Sequence, residues 1–452
     1  MGAVMSKKAA NRIKTFLQNP ANVILVVFFI LLAALTLYPL LSLVFETYSV
    51  HPMEMQLIRK PIGALTPYHW KRLLAGGEYS VNNFYRPLLN TVLMAIVASV
   101  IAIFFGGAVA WLITRSNLKY KKFISFVFVF PYIMPSWSIA MFWENFFKNT
   151  NVSGSPGEGL LQALTGISAP QWLVYGFFPT AIVLGLHYAP FAYILIGGIL
   201  RNMDANLEEA ATILKASRLK IVRRITLPIV APAMISTVLL VFASSISSYT
   251  VPQFLNKDGS FNSISITLRS ALMTGKKGEG YVIATILLIF SVLILTLNNW
   301  FTKSRRSFTT VSGKSGQITK IDLKKAKWPI AVTTLVIVTF FAVIPLLSFV
   351  LESLEETAGD FSSITLKYWI SPTPAIDDAF VGARDYSLNG IFHNSTILHS
   401  FGRTIIVAVI VSFICGTCGI LIGYAVSKNR RSRLANYVSS LAFLPYLIPA
   451  LS

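Results

Sequence analysis

An all-α polytopic membrane protein, made of tandem parallel six-helix repeats with the second repeat truncated, is the fold class this sequence predicts. Three observations predict it. Apolar residues make up 54% of the chain and charged residues only 13%, about half the charge of an ordinary soluble domain. The apolar residues gather into runs long enough to cross a bilayer. A set of landmarks in the first third of the chain recurs near its end.

The runs come first. A membrane helix needs roughly 20 mostly apolar residues. Such runs lie at about 22–46, 89–114, 123–146, 176–200, 233–256, 281–301, 328–351 and 403–427, and a ninth starts near 437. Backbone polar groups in lipid must be satisfied within the segment, so each run is expected to be helical. The first follows a basic N-terminus (Lys7, Lys8, Arg12, Lys14). It is too long for a signal-peptide core and is read as a retained first span.

Charge orients the spans. Segments 1–19, 115–122, 201–227, 302–327 and 428–433 are alternate connections. They hold most of the 39 lysines and arginines and few of the 18 acids. The other loops (about 47–88, 147–175, 257–280 and 352–402) are near neutral. They carry Glu352, Glu355, Glu356, Asp360, Asp377, Asp378 and Asp385. The basic set is therefore assigned to the cytoplasm, with the N-terminus there too. The net charge of +21 is then a product of topology, and nucleic acid is not an expected partner. The two cysteines, Cys415 and Cys418, lie in one apolar run, so a disulfide framework is excluded.

The repeat sets the architecture. PYIMP at 131–135 returns as PYLIP at 445–449. Each follows a span opened by a threonine (Thr91, Thr404), carrying a glycine (Gly106, Gly419) and closed by an aromatic (Trp111, Tyr424). A basic loop follows in both copies. Six spans separate equivalent points, so the copies share one orientation. The second copy stops just after PYLIP, which predicts a longer natural chain with a further coupling loop.

One stretch interrupts the apolar pattern: EEAATILKASRLKIVRRITLP at 208–228. Leu207, Ala210, Ala211 and Leu214 recur at helical spacing, with acids in the first turn where the helix dipole favours them. Ile225 and Leu227 add apolar contacts, and Pro228 is expected to stop the helix from running straight on. The expectation is a short amphipathic helix, a turn and a second helix at the membrane face. Such an element offers apolar surface to a groove on a soluble partner. The bland alternative is a loop lying on anionic lipid.

This stretch resembles the EAA loop of binding-protein-dependent ABC importer permeases. That pattern runs Glu-Ala-Ala, three residues, Gly, nine residues, Ile, one residue, Leu-Pro. Glu209, Ala210, Ala211, Ile225, Leu227 and Pro228 match it, and Lys215 stands where the family has glycine. A lysine at positive φ would be disfavoured by about 1–2 kcal/mol. The turn is therefore expected either around Ala216–Ser217 or with weakened coupling. The resemblance implies that the loop fits a cleft on a separate cytoplasmic ABC ATPase, which uses ATP and Mg and is expected as a dimer. It further implies an extracytoplasmic solute-binding protein, an inner-membrane location and no cofactor or metal held by this chain. The fused double form, with SSISSYTVP at 244–252, is similar to the ferric-iron permease group, whose relatives handle polyamines, thiamine or phosphonates. Residues 1–301 are then a first permease unit with its coupling loop at 201–232. Residues 302–327 form a basic cytoplasmic linker, and 328–452 begin a second unit.

Polar groups inside spans are candidates for the translocation path. They are Ser244, Ser245, Ser247, Ser248, Tyr249, His187 and Glu144. Helix–helix hydrogen bonding is the competing account for the serines and His187, and interface snorkelling for Glu144. Pro131, Pro135, Pro445 and Pro449 are expected to kink their helices. SGKSG at 312–316 lacks the upstream glycine of a phosphate-binding loop, since Phe308 stands there. Cys415-Gly-Thr-Cys418 is read as close helix packing. No catalytic constellation stands out, so an enzyme is not expected. An ion-coupled secondary transporter and a non-transporting scaffold remain the rivals from other classes.

Overall fold

The computed structural model describes residues 16, 18–154, 157–203, 206–303, 321–356, 363–372, 389–429 and 432–447. Pro449, the 312–316 stretch and Asp360, Asp377, Asp378 and Asp385 lie outside these. Among the described residues seven helices are long and apolar enough to cross a membrane, or eight when one bent pair counts as a span.

In chain order the main helices are α1 (Pro20–Glu46) and α2 (Arg86–Arg115), then α3 (Lys121–Ile133) and α4 (Ser136–Phe147). Next come α5 (Phe177–Asn202), α6 (Asn206–Ile213), α7 (Leu227–Ile246), α8 (Ile264–Met273) and α9 (Lys277–Lys303). The rest are α10 (Lys327–Ala342), α11 (Ile344–Glu352), α12 (Ser395–Lys428) and α13 (Arg433–Leu447).

The third apolar run is not one helix. α3 and α4 meet at 99°. Pro135 makes the break: it has no N–H to continue α3, and it pushes Met134 to an extended conformation (φ −66°, ψ 144°). Pro131 sits in the first turn of the Phe130–Ile133 stretch, before the bend. In the second copy α13 runs on through Pro445. The fifth run, expected to reach about 256, ends as a helix at Ile246. The chain turns at Ser247–Tyr249 and resumes as a short helix over Thr250–Phe254.

Pro228 does not stop the helix as the sequence suggests. The segment Arg218–Ile221 continues into α7 through a widened turn, Val222–Thr226, closed by Leu227 N–H donating to the Val222 carbonyl five residues back. The same device appears at Ala33–Leu37 before Pro39 and at Val81–Tyr85 before Pro87. An extra residue in the turn moves aside the carbonyl that the proline ring would strike and that the missing N–H would orphan.

The core centres on α2 against α5. Ala98, Ala102, Gly106 and Ala110 form a stripe at four-residue steps, all buried. A side chain at Gly106 would collide with the Ala189 carbonyl and the Ala192 methyl of α5, and one at Gly185 would collide with Ile101. Close approach of small residues compensates for the absence of a hydrophobic drive between helices in lipid.

The described chain separates into two compact units that do not follow chain order. One joins α1 as far as Ser42 to Val350–Tyr446, and the other is chiefly Leu43–Phe349. In the first, Ala21, Leu25 and Phe28 of α1 pack with Ala425 of α12 and with Ala435 and Val438 of α13, with Cys418 half-buried against them. In the second, Ala331, Val338 and Ala342 of α10 join the core of α2, α3 and α5. The apolar runs that open the two expected repeats thus pack as α1 on α12 and α13, and as α10 on α2, α3 and α5.

Loops assigned to one side by charge meet one another. Arg72 lies 3.1 Å from Glu279, the Gly278 N–H donates to Glu54, and Gln171 donates to Asp258. On the basic side Asn117 and Ile321 pair through their backbones. Which face is cytoplasmic rests on the distribution of lysine and arginine.

Candidate coupling element and polar seam

The coupling element is built as its residues require. Asn206 opens α6, and Glu208 and Glu209 occupy its first turn. The helix ends in two bonds: Ala216 N–H to the Ala211 carbonyl (3.0 Å) and Lys215 N–H to the Thr212 carbonyl (2.9 Å). This is a Schellman closure with Lys215 at the left-handed position, φ 56°. The turn is therefore made at the expected glycine position by a lysine, not moved to Ala216–Ser217. Leu207, Glu209 and Ala210 are exposed, and Ala211 is half-buried. Ile213, Leu214 and Leu219 are about four-fifths exposed (80%, 81% and 78%). Ile225 is half-buried and Leu227 exposed.

Glu208, not singled out from the sequence, holds the element in place. Its Oε1 accepts from the Thr226 hydroxyl at 2.6 Å, and its Oε2 lies 3.5 Å from Nη1 of the buried Arg115. Its partners, Thr226 and Arg115, lie on other elements, so no local sequence pattern marks it.

A polar seam follows the two helix breaks. Ser136 at the start of α4 and Thr250 just past α7 are 3.3 Å apart. Ser265 donates to the Ser248 carbonyl at 2.7 Å and lies 2.9 Å from Ser263. The Thr91 hydroxyl accepts from the Ile264 N–H at 2.8 Å. Ser245 is fully buried within α7, and Ser247 caps it. Ser244 is half-buried on α7, and the Tyr249 ring faces the Arg269 guanidinium at 6.0 Å. Ser248 is thus linked to Ser265 and through it to Ser263, and Thr250 to Ser136, four partners the sequence reading did not name as candidates.

Two candidates lie elsewhere. His187 on α5 places Nδ1 2.7 Å from the Pro131 carbonyl. Pro135, four residues on, has no N–H for that carbonyl, so His187 donates in its place. The Nδ1–H tautomer follows from this contact. Glu144, near the end of α4, is 3% exposed. It accepts from Tyr175 (2.8 Å) and pairs with Lys257 (2.5 Å), tying α4 to the loops on either side of α5 and α7.

Residues 98–307 match the family model described as "Binding-protein-dependent transport system inner membrane component". Over these residues the chain is similar to that family. The match takes in α3 to α9, and so the candidate coupling element and, Thr91 apart, the polar seam. A putative ferric transport system permease of Haemophilus influenzae is 28% identical over 51% of this chain and 35% of its own length. A ferric transport system permease of Actinobacillus pleuropneumoniae is 28% identical over 51% and 33%. The chain thus spans about a third of the length of these two relatives. Others are named for galactooligosaccharides, spermidine/putrescine and sulfate. Among solved structures, a bacterial ABC transporter that imports alginate aligns over 62% of this chain and 92% of its own, at 17% identity and a TM-score of 0.43.

Proposed function

We propose that this permease chain is the membrane-spanning part of an ATP-driven importer, with a solute-binding protein on one face and ABC ATPase subunits on the other. The observation that carries the reading is the coupling element. α6 and its turn present Ile213, Leu214 and Leu219 to solvent on the basic face, bracketed by Glu209 and Ala210. Exposed apolar side chains on a short ordered helix suit a groove on a soluble partner. ATP binding would drive transport only through contacts that differ between two states of the permease. The seam at the breaks of α3–α4 and α7 is the proposed path, because discontinuous helices free polar groups at membrane depth.

Ferric ion is the proposed solute, supported by likeness to the two ferric relatives. Polyamine, thiamine and phosphonate are the alternatives. Among the described residues no group of three or more histidine, cysteine or carboxylate side chains is placed to hold a metal. Cargo choice is therefore assigned to the binding protein. Proteoliposomes holding the full chain test the reading. Iron uptake that requires ATP, the ATPase and the binding protein is the expected result. Uptake driven by an ion gradient without the ATPase would establish a secondary transporter instead.

A further inference from the structure

The Arg115 guanidinium is the largest fully buried side chain among the described residues, at 1% exposure. It closes α2 at the cytoplasmic face. Burying a guanidinium is strongly unfavourable unless a carboxylate compensates it. The partner the structure supplies is Glu208, at 3.5 Å. A closed charge-assisted hydrogen bond is about 2.7–2.9 Å. Nε, Nη1 and Nη2 of Arg115 have no hydrogen-bond acceptor among the described residues. The pair attracts, but it is not locked.

The other contacts of both residues are closed. Glu208 is fastened through its second oxygen to Thr226, in the widened turn leading into α7. The Arg115 carbonyl accepts from Ile321 N–H at 2.8 Å, and Asn117 N–H donates to the Ile321 carbonyl at 3.1 Å. The Asn117 side chain bonds both Asp322 (2.7 Å) and the Leu323 N–H (3.1 Å). The carboxylate therefore moves with α6 and the root of α7. The guanidinium moves with the end of α2 and the segment leading into α10. Beside the apolar packing of Val230 on Val109, Ala110 and Ile113, the gap from Arg115 to Glu208 is an open polar contact between these two groups.

We propose that Arg115 is the positioning residue through which displacement of the coupling helix reaches α2, by opening and closing its pairing with Glu208. This rests on the permease reading above and names the part that passes the motion on. A shift of α6 by less than about 1 Å toward α2 converts the open pair into a direct, bidentate-capable bond. A shift the other way strands a buried charge. Small displacement thus yields two distinct arrangements, as a bistable contact requires.

The test uses the full chain in proteoliposomes with its ATPase and binding protein, reading ATP hydrolysis and solute uptake together. Arg115→Met removes the charge but keeps an apolar stem. The double variant Arg115→Met/Glu208→Gln leaves no unpaired charge and retains an acceptor for Thr226, so it is the variant expected to fold like the parent. For Arg115→Met, binding of the ATPase and hydrolysis stay within about twofold of the parent while solute moved per ATP falls at least tenfold; the double variant, which alters the coupling element itself, is read by solute moved per ATP, which falls to the same extent. The reversed pair Arg115→Glu/Glu208→Arg recovers part of that ratio. An unchanged ratio in the double variant overturns the proposal, as does an equal fall in hydrolysis and uptake. If the parent itself shows no ATP-dependent uptake, the permease reading fails and this inference with it. A working parent beside an equally coupled variant removes this inference alone.

Discussion

Lys215 shows how one residue can hold a turn at a cost. Its φ of 56° closes α6, a conformation that glycine adopts freely and that disfavours a side chain by about 1 kcal/mol. Lys215→Gly is expected to stabilise the α6 turn by about that amount. Amide exchange at Ala216, which bonds the Ala211 carbonyl, should slow about fivefold, the equivalent of 1 kcal/mol. Lys215→Ala keeps the Cβ and should bring no such gain. Faster exchange in Lys215→Gly would mean that the lysine side chain itself holds the turn. His187 acts by supplying a missing donor. With Pro135 unable to bond the Pro131 carbonyl, His187→Leu leaves a buried acceptor unsatisfied, at about 1–3 kcal/mol. The thermal midpoint in detergent should fall, and His187→Gln, which keeps a donor, should recover part of the loss. A His187→Leu midpoint equal to the parent's would show that this carbonyl is satisfied by another group. The histidine was visible in the sequence as a polar group in a span. Its partner was not, because the contact joins residues 56 positions apart.

Among the elements, α2 and α5 set the tightest constraint, and two adjacent glycines separate packing from propensity. A Cβ at Gly106 meets the backbone of Ala189, whereas one at Gly107 meets only the tip of Ile196 at 3.5 Å. Gly106→Ala is expected to destabilise by about 1–3 kcal/mol through overpacking. Gly107→Ala is expected to be neutral or to stabilise by up to about 1 kcal/mol, since alanine is the better helix former. Thermal unfolding of the two variants side by side checks this, and equal midpoints would mean that the helices can part without loss. The spans were legible in the sequence, because lipid imposes length and apolarity on each segment locally, whereas the four-residue stripe of small residues behind this contact was not singled out there. The breaks were legible in part. Pro135 acts where the pattern places it. The widened turns before Pro39, Pro87 and Pro228 were not legible, because a proline marks a difficulty for a helix without saying whether the chain bends, stops or inserts a residue.

At the scale of the whole molecule, the expected repeat was readable as landmarks that recur in order along the sequence. The packing of α1 on α12 and α13, and of α10 on α2, α3 and α5, was not, because apolar faces of similar composition carry no address. The candidate coupling element was readable because its polar interruption stands out against lipid-facing sequence, yet Glu208, which ties it to the bundle, was not singled out. Glu208 and Arg115 face each other across elements and leave no local pattern. That division gives the last prediction. Ala210 and Glu209 lie exposed on α6, where substitutions change stability by about 0.5 kcal/mol or less. Ala210→Asp places a charge on the surface proposed to enter an apolar groove, and Glu209→Lys reverses one beside it. Both variants should insert in the membrane and unfold like the parent, while ATPase association and uptake each fall at least tenfold. The sign of the effect separates this surface from the buried pair behind it. Loss of the ATPase altogether marks a docking residue, whereas retained hydrolysis without transport marks a residue that passes the motion on. Ala210→Asp protein that still binds its ATPase and transports would show that the exposed face of α6 is not where force enters the membrane bundle.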